Sequence, residues 1–231
     1  IDEFLKKSIV LHHKKYIEEE QRFLFLKEAI KNTNIAKLGI SDNFTKFLKQ
    51  NDYIYRFFLE LASEKVEIES IQNVDTYDYY IEHLQILKKI RENYINILDK
   101  NNCVDRININ EHYKINEDFV KRFDGIELLF EGYFTKVEFD IVKKISESIP
   151  LEIEFYSNLY NQKSLEKLKN ILEEDFLLDI KYKISLTNKS ILEKTEIIKK
   201  IDSFEIKGFT SRINQIAFIK ESIVTSVKSG V

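Results

Sequence analysis

The chain has 231 residues, of which 36 are basic and 39 acidic, giving a formal net charge of −3. Five Gly and one Pro stand against 17 Phe and 12 Tyr, a composition that excludes disordered, collagen-like and low-complexity proteins and predicts a compact globular fold. The balanced charge lacks the strongly basic character of an independent nucleic-acid-binding module.

The first half of the chain has a helical pattern. Apolar residues recur there at spacings of three and four, which is typical of amphipathic helices. Asp75 is in position to cap the longest of them, and this half is predicted to form a mainly helical subdomain over residues 1–115. The predicted helices cover 4–16, 23–30, 44–61 and 76–100.

The second half, residues 116–231, alternates strand-like and helix-like segments. Thr135 and Glu138 have the spacing of a capping box, which predicts a helix that ends before Pro150. Strands separated by helices indicate βαβ units, so the predicted fold class is α/β with a doubly wound, mainly parallel sheet. The predicted strands cover 126–130, 151–155, 178–186 and 203–206. The other predicted helices cover 164–174, 190–200 and 211–228.

Cysteine usage and hydropathy bear on the compartment. The single Cys103 excludes a disulfide within the chain and a cysteine-based zinc or iron–sulfur site, and it favours a reducing compartment. No stretch of about 18 apolar residues and no leader pattern is present, so we expect a cytoplasmic protein without a membrane partner. Because the chain lacks Met and starts at Ile1 inside a helical pattern, we expect an internal fragment of a longer protein.

Catalytic and metal-binding motifs are absent from the sequence. The four histidines, His12, His13, His83 and His112, lack the spacing of metal ligands, so structural or surface roles are expected. The glycines do not cluster as a phosphate-binding loop, and no glycine-flanked nucleophile occurs. We therefore predict no catalytic residue, no metal site and no cofactor bound by this chain alone.

Aromatic side chains suggest a second kind of site, a stacking platform for single-stranded nucleic acid. At helical spacing, aromatic residues more often belong to a core, so only those with an exposed face would act in this way. The candidates are Tyr77, Tyr79, Tyr80, Tyr156 and Tyr160.

One segment has a more specific layout. The apolar run 126–130 ends at Glu131, followed by Gly132, as in a Walker B strand whose terminal carboxylate orients magnesium beside phosphates. An acid after a core strand is also common in proteins without this function. Taken alone, the layout leaves both interpretations open.

The residues around Glu131 resemble a known family. Residues 130–139, FEGYFTKVEF, are similar to the segment after the Walker B strand in AddB and RecB/RecC-like helicase–nuclease subunits, and they resemble the epsilon-proteobacterial type of AddB. Residues 151–162 resemble the next strand and turn of that family, and residues 203–230 resemble the strand and helix that lead to the second helicase domain. The likeness extends over most of the chain.

The resemblance implies a role in processing DNA double-strand breaks for recombinational repair, together with an AddA-like helicase–nuclease partner. Residues 1–115 would correspond to the 1B-like subdomain and residues 116–231 to part of the 1A-like helicase core, after a phosphate-loop segment that precedes Ile1. ATP and Mg²⁺ would belong to the parent complex. The resemblance also implies DNA contacts for Tyr133, Arg212 and Gln215.

The family pattern is not complete at its acidic position. The family usually has Asp where this chain has Glu131, and translocating helicases carry an Asp-Glu pair, whereas Gly132 follows here. A single carboxylate without a neighbouring catalytic base argues against robust ATP hydrolysis. The fragment is then expected to act as a scaffold and DNA-path element that is inactive alone.

Two other functions remain open on the sequence. One is a non-enzymatic helical and α/β module for protein interaction, in which Glu131 is only a turn residue. The other is an α/β nucleotidyl or glycosyl transferase, which would require a pair of metal-binding acids that the sequence does not provide.

Overall fold

The computed structural model describes residues 2–11, 14–72, 80–196 and 207–229. The chain divides into two compact units, residues 1–196 and 197–231. The helices of the first unit are α1 (Asp2–Lys7), α2 (Glu19–Ala29), α3 (Phe44–Ser63), α4 (Ile68–Gln72), α5 (Ile81–Lys100), α6 (Glu117–Val120), α7 (Lys136–Ser146) and α8 (Gln162–Leu172), with short 3₁₀ helices at Ile35–Leu38 and Ile109–Glu111. Its strands are β1 (Ile9–Leu11), β2 (Lys15–Tyr16), β3 (Cys103–Val104), β4 (Tyr113–Ile115), β5 (Ile126–Phe130), β6 (Leu151–Ser157), β7 (Ile180–Ser185) and β8 (Ser190–Glu196). The second unit contains α9 (Arg212–Ser229).

The helical half is organised around α2, α3 and α5, as its apolar periodicity predicts. Asn43 caps α3 by accepting a hydrogen bond from the Lys46 backbone N–H at 3.3 Å. The three helices bury one stripe each in a common hydrophobic cluster, which is how amphipathic helices gain most of their stability. The largest fully buried side chains of this cluster are Ile17, Leu26, Phe47, Ile54, Phe58, Ile68, Ile90, Tyr94, Leu98 and Ile107.

A buried carboxylate lies at the centre of this helical cluster. Asp105 is 0% exposed and accepts hydrogen bonds from the Tyr94 hydroxyl at 2.6 Å and the Tyr55 hydroxyl at 3.0 Å. Arg22 Nε donates to it at 3.1 Å, and the Arg106 backbone N–H at 2.7 Å. The charge is thus paired and its oxygens are hydrogen-bonded, the condition under which a carboxylate is tolerated inside a protein.

The prediction of a helix over 4–16 is wrong beyond Lys7. Ile9–Leu11 forms β1 and pairs antiparallel with β4, and Lys15–Tyr16 forms β2 and pairs parallel with β3. These pairings join residues about a hundred positions apart, so local spacing could not reveal them. The apolar side chains that fitted a helical stripe are equally suited to short strands.

The α/β half contains a mixed four-stranded sheet in the order β5-β6-β7-β8. The prediction of a parallel pair is confirmed for β5 and β6, which are joined by α7 and aligned from Ile126 beside Leu151 to Phe130 beside Phe155. It is wrong for the rest of the described sheet, because β6–β7 and β7–β8 are antiparallel. The α/β class is therefore confirmed, but the sheet formed by the described strands β5 to β8 is mixed and not mainly parallel.

The helix predicted over 190–200 is also wrong in its described part, since residues 190–196 form β8. A tight turn at 186–189, with Lys189 at a φ of 50°, folds β8 back on β7. Asn188 donates its backbone N–H to the Ser185 hydroxyl at 3.1 Å within this turn. Pairing with β7 therefore determines that residues 190–196 form a strand, because the local sequence has only a weak preference for strand or helix.

The two faces of the sheet differ in character. Alternate residues of β6 and β7 pack with α7 and α8 into a hydrophobic cluster that also includes Leu5 of α1. On the opposite face Lys183 bridges Glu127 at 2.9 Å and Glu152 at 3.0 Å, and Lys181 pairs with Glu154 at 2.6 Å. Within the described part of the first unit, the helices α7 and α8 thus lie on one side of the sheet, in contrast to the doubly wound arrangement that the sequence predicted.

Helix α9 confirms the terminal helix predicted over 211–228. The predicted strand at 203–206, the Asp75 cap, the stacking candidates Tyr77 and Tyr79, and the pair His12 and His13 lie outside the described residues. No described helix is long and apolar enough to span a membrane.

Candidate functional site

The candidate site lies at the carboxyl edge of the parallel pair. Strand β5 ends at Phe130 and leads through residues 131–135 into α7, and β6 ends at Ser157 and leads through residues 158–161 into α8. Because β5 and β6 are parallel neighbours, both loops leave the same edge of the sheet. In open α/β sheets this edge is where ligands bind.

A capping box holds the first of these loops. The Thr135 hydroxyl accepts a hydrogen bond from the Glu138 backbone N–H at 3.2 Å, and the Glu138 carboxylate accepts one from the Thr135 backbone N–H at 2.8 Å. This confirms the capping box expected from the sequence. The Glu138 carboxylate accepts hydrogen bonds from Thr135 at the start of α7. Glu131 is the carboxylate that the loop itself carries.

Glu131 and Gly132 lie at the end of β5, where the Walker B layout requires an acid. Glu131 is exposed and has no ion pair or side-chain hydrogen bond with any described residue. A Cβ added to Gly132 would meet no atom within 4 Å, so the space above this position is open. Across the described ranges, no group of three or more His, Cys, Asp or Glu is arranged to hold a metal ion.

One carboxylate supplies only part of what a magnesium-bound nucleotide needs. The described residues therefore do not fit a complete ATP–Mg²⁺ site, and a role of Glu131 beside phosphates remains a prediction.

Tyr133 is the best-defined side chain of the site. Its hydroxyl donates to Glu64 Oε2 at 3.0 Å and accepts from Lys167 Nζ at 3.3 Å. The Lys167 ammonium also donates to the Phe134 carbonyl oxygen and lies 4.4 Å from the Tyr133 ring centroid. The ring is thus supported by a cation at close range, yet the residue remains 53% exposed.

Electrostatics around Tyr133 favour the neutral phenol. Desolvation, and then the hydrogen bond and charge of Glu64, raise the pKa of Tyr133 above its ordinary value. Desolvation lowers the pKa of Lys167, against the opposing effect of Glu64 and other nearby carboxylates.

The site also joins the two halves of the first unit. Glu64 follows α3, and its neighbour Lys65 forms an ion pair with Asp140 of α7. The orientation of Tyr133 thus depends on a residue of the helical half.

Tyr160 projects from the second loop and is 93% exposed. The loop beneath it is held by amide side chains: Asn158 Oδ1 accepts from the Tyr160 backbone N–H at 2.8 Å, and Asn161 Oδ1 accepts from the Asn158 backbone N–H at 2.9 Å. Asn161 Nδ2 donates to the Tyr156 carbonyl oxygen at 2.6 Å. A well-held loop therefore presents an exposed aromatic ring.

The remaining candidates are placed elsewhere. Arg212 and Gln215 lie one turn apart on α9 of the second unit, and both are exposed. Tyr156 lies on the charged face of the sheet and donates its hydroxyl to Asp179 at 2.8 Å. Tyr80 contacts His83 with ring centroids 5.6 Å apart.

Sequence reasoning did not find Lys167 or Glu64. Each is an ordinary charged residue of an amphipathic helix or a helix end, and only the tertiary fold brings them to Tyr133. Comparison with known protein families, curated proteins and solved structures finds no match to this chain.

Proposed function

We propose that this chain is the DNA-path element of an AddB-like subunit, an internal helicase-core fragment of a helicase–exonuclease that processes DNA double-strand breaks for recombinational repair with an AddA-like partner. In this role the carboxyl edge of β5 and β6 contacts single-stranded DNA and the fragment has no activity of its own. The observation that carries the proposal is the pair of exposed tyrosines, Tyr133 and Tyr160, at the ends of two adjacent parallel strands.

Stacking is the interaction that these tyrosines offer. Single-strand-binding proteins stack successive bases on aromatic side chains along a positively charged path. The Lys167 ammonium lies 4.4 Å from the Tyr133 ring centroid and Tyr133 is 53% exposed, so a base that stacks on this ring also approaches an ammonium group.

Backbone and side-chain charges support phosphate binding at the same edge. Helices α7 and α8 both begin there, and a helix start carries partial positive charge. The capping box already satisfies the Glu138 N–H of α7, whereas no side chain caps the start of α8. The exposed Lys136 and Lys163 lie in the first turns of these helices. Glu64, Glu131 and Glu138 lie near these lysines, so a phosphate contact would depend on individual lysines and helix starts and not on a net positive charge of this edge.

Fluorescence anisotropy with a labelled oligothymidylate tests this proposal. We expect Tyr133→Ala and Tyr160→Ala each to weaken binding by about fivefold or more, because stacking contributes about 1–3 kcal/mol per base. Tyr133→Phe retains the ring and should bind nearly as well as the original chain.

Tyr53→Ala is the matched control, since Tyr53 is 73% exposed on α3, away from the sheet edge. Equal losses in Tyr53→Ala and Tyr133→Ala, or no saturable binding at moderate salt, would contradict the proposal.

A second candidate function is a protein-interaction module without nucleic acid. The exposed apolar side chains of α9 favour it, because such patches mark interaction sites. Absence of salt-sensitive DNA binding by the chain together with its AddA-like partner would favour this candidate.

A further inference from the structure

Helix α9 carries an exposed apolar stripe. Spacings of three and four place these residues along one side of the helix. Each is at least 44% exposed: Ile213, Ile216, Ile219, Ile223, Val224 and Val227.

On the opposite side of α9, Phe218 packs against the segment that precedes the helix. The rings of Phe209 and Phe218 lie 5.3 Å apart, and the Lys207 ammonium lies 4.3 Å from the Phe218 ring centroid. The segment before α9 therefore packs against the side that carries Phe218. The stripe lies on the other side.

Lys220 interrupts the stripe near its middle. It follows Ile216 by four residues and precedes Ile223 by three, so it lies between them on the same side of the helix. No ion pair joins Lys220 to any described residue. A partner that covers the stripe would remove this ammonium from water, which is unfavourable unless the partner supplies an opposite charge.

We propose that the stripe of α9 docks an amphipathic helix of a partner protein whose apolar side carries a carboxylate opposite Lys220. The apolar residues would provide affinity by burying area, at about 25 cal/mol per Å². The Lys220–carboxylate pair would select the partner and set its register, as a single polar residue does in a helical interface.

A second copy of this chain does not meet these requirements. The pairing that overlaps the whole stripe places Ile213 opposite Val227 and Lys220 opposite the Lys220 of the copy. Two ammonium groups would then meet inside an apolar interface. Charge complementarity therefore favours a different, acidic partner helix.

The test uses the full chain and two synthetic amphipathic peptides of about 18 residues with a leucine face. They differ only at the centre of that face, where one has Glu and the other Lys. Fluorescence anisotropy should show the Glu peptide binding at least tenfold more tightly, and Lys220→Glu should reverse this preference. Ser222→Glu, on the side of α9 away from the stripe, should leave it unchanged.

Ile216→Asp and Ile223→Asp provide a second readout and should abolish binding of the Glu peptide. Because both residues are exposed, the circular dichroism and thermal unfolding of the chain should not change. Equal affinity for the two peptides, or no binding of either, overturns the proposal. So does sedimentation that shows a dimer lost in Ile216→Asp, or binding to anionic phospholipid vesicles that exceeds binding to the Glu peptide. None of these measurements depends on the DNA contact proposed above.

Discussion

At the scale of single residues, Asp105 shows how the helical half accommodates a buried charge. Its carboxylate has two tyrosine hydroxyls, a backbone N–H and one guanidinium as partners, and Arg22 also lies 4.3 Å from the Tyr55 ring centroid. Replacing the charged partner should destabilise the folded chain by more than the ion pair stabilises it, because the Asp105 charge stays buried.

The first prediction concerns the guanidinium. Arg22→Met should lower the free energy of unfolding by about 3–5 kcal/mol, since it leaves the Asp105 carboxylate without a counter-charge. Urea unfolding followed by circular dichroism measures this change. Arg56→Met, at an exposed position of α3, is the control and should change stability by less than about 0.5 kcal/mol. Similar losses in both variants would mean that Asp105 does not depend on Arg22.

The second prediction concerns alkaline pH. Desolvation, and then the charge of Asp105, raise the pKa of Tyr55 and of Tyr94 above the ordinary value of about 10. Because the folded chain holds these two protons more tightly than the unfolded chain, the folded state has its full stability below about pH 10. It loses stability as the pH rises toward the folded pKa. The free energy of unfolding should therefore fall above pH 10, by about 1.4 kcal/mol per pH unit for each tyrosine.

Tyr94→Phe removes one of these two titrations. Between pH 10 and pH 11 its free energy of unfolding should decline less steeply than that of the original chain, because Tyr94 no longer contributes to the decline. Urea unfolding at several pH values measures both slopes. Identical slopes would show that the Tyr94 hydroxyl does not titrate with folding.

At the scale of elements, the segment from β5 to α7 explains why part of the site could be predicted. The apolar strand, the acid at its end and the capping box are local patterns, and the structure has all three. The antiparallel pairing of β6 with β7 and the short strand β1 depend on distant partners. Local periodicity could not reveal those pairings.

The third prediction concerns the capping box. Thr135→Ala should destabilise the chain by about 1 kcal/mol, because the first turn of α7 loses a hydrogen-bond acceptor. Thr45→Ala, on the exposed surface of α3, is the matched control with no capping contact. Thermal or urea unfolding compares the two variants. An equal effect of both would show that the cap does not stabilise the loop that carries Tyr133.

At the scale of the whole molecule, the two halves of the first unit are linked at the candidate site itself. The Tyr133–Glu64 hydrogen bond and the Lys65–Asp140 ion pair join the end of α3 to α7 and the loop before it. Composition and periodicity predicted a helical half and an α/β half. They could not predict this contact, because Glu64 and Lys65 look like ordinary solvated residues in the sequence.

The proposed DNA contact places the carboxyl edge of β5 and β6 on the path of a single strand. Photocrosslinking of the full chain to an oligonucleotide with 5-iodouracil, followed by mass spectrometry of the digested protein, maps that path directly. We expect crosslinks at Tyr133 and Tyr160, and unlabelled oligothymidylate should compete with them. Crosslinks confined to other surfaces, or none that competitor removes, would contradict it.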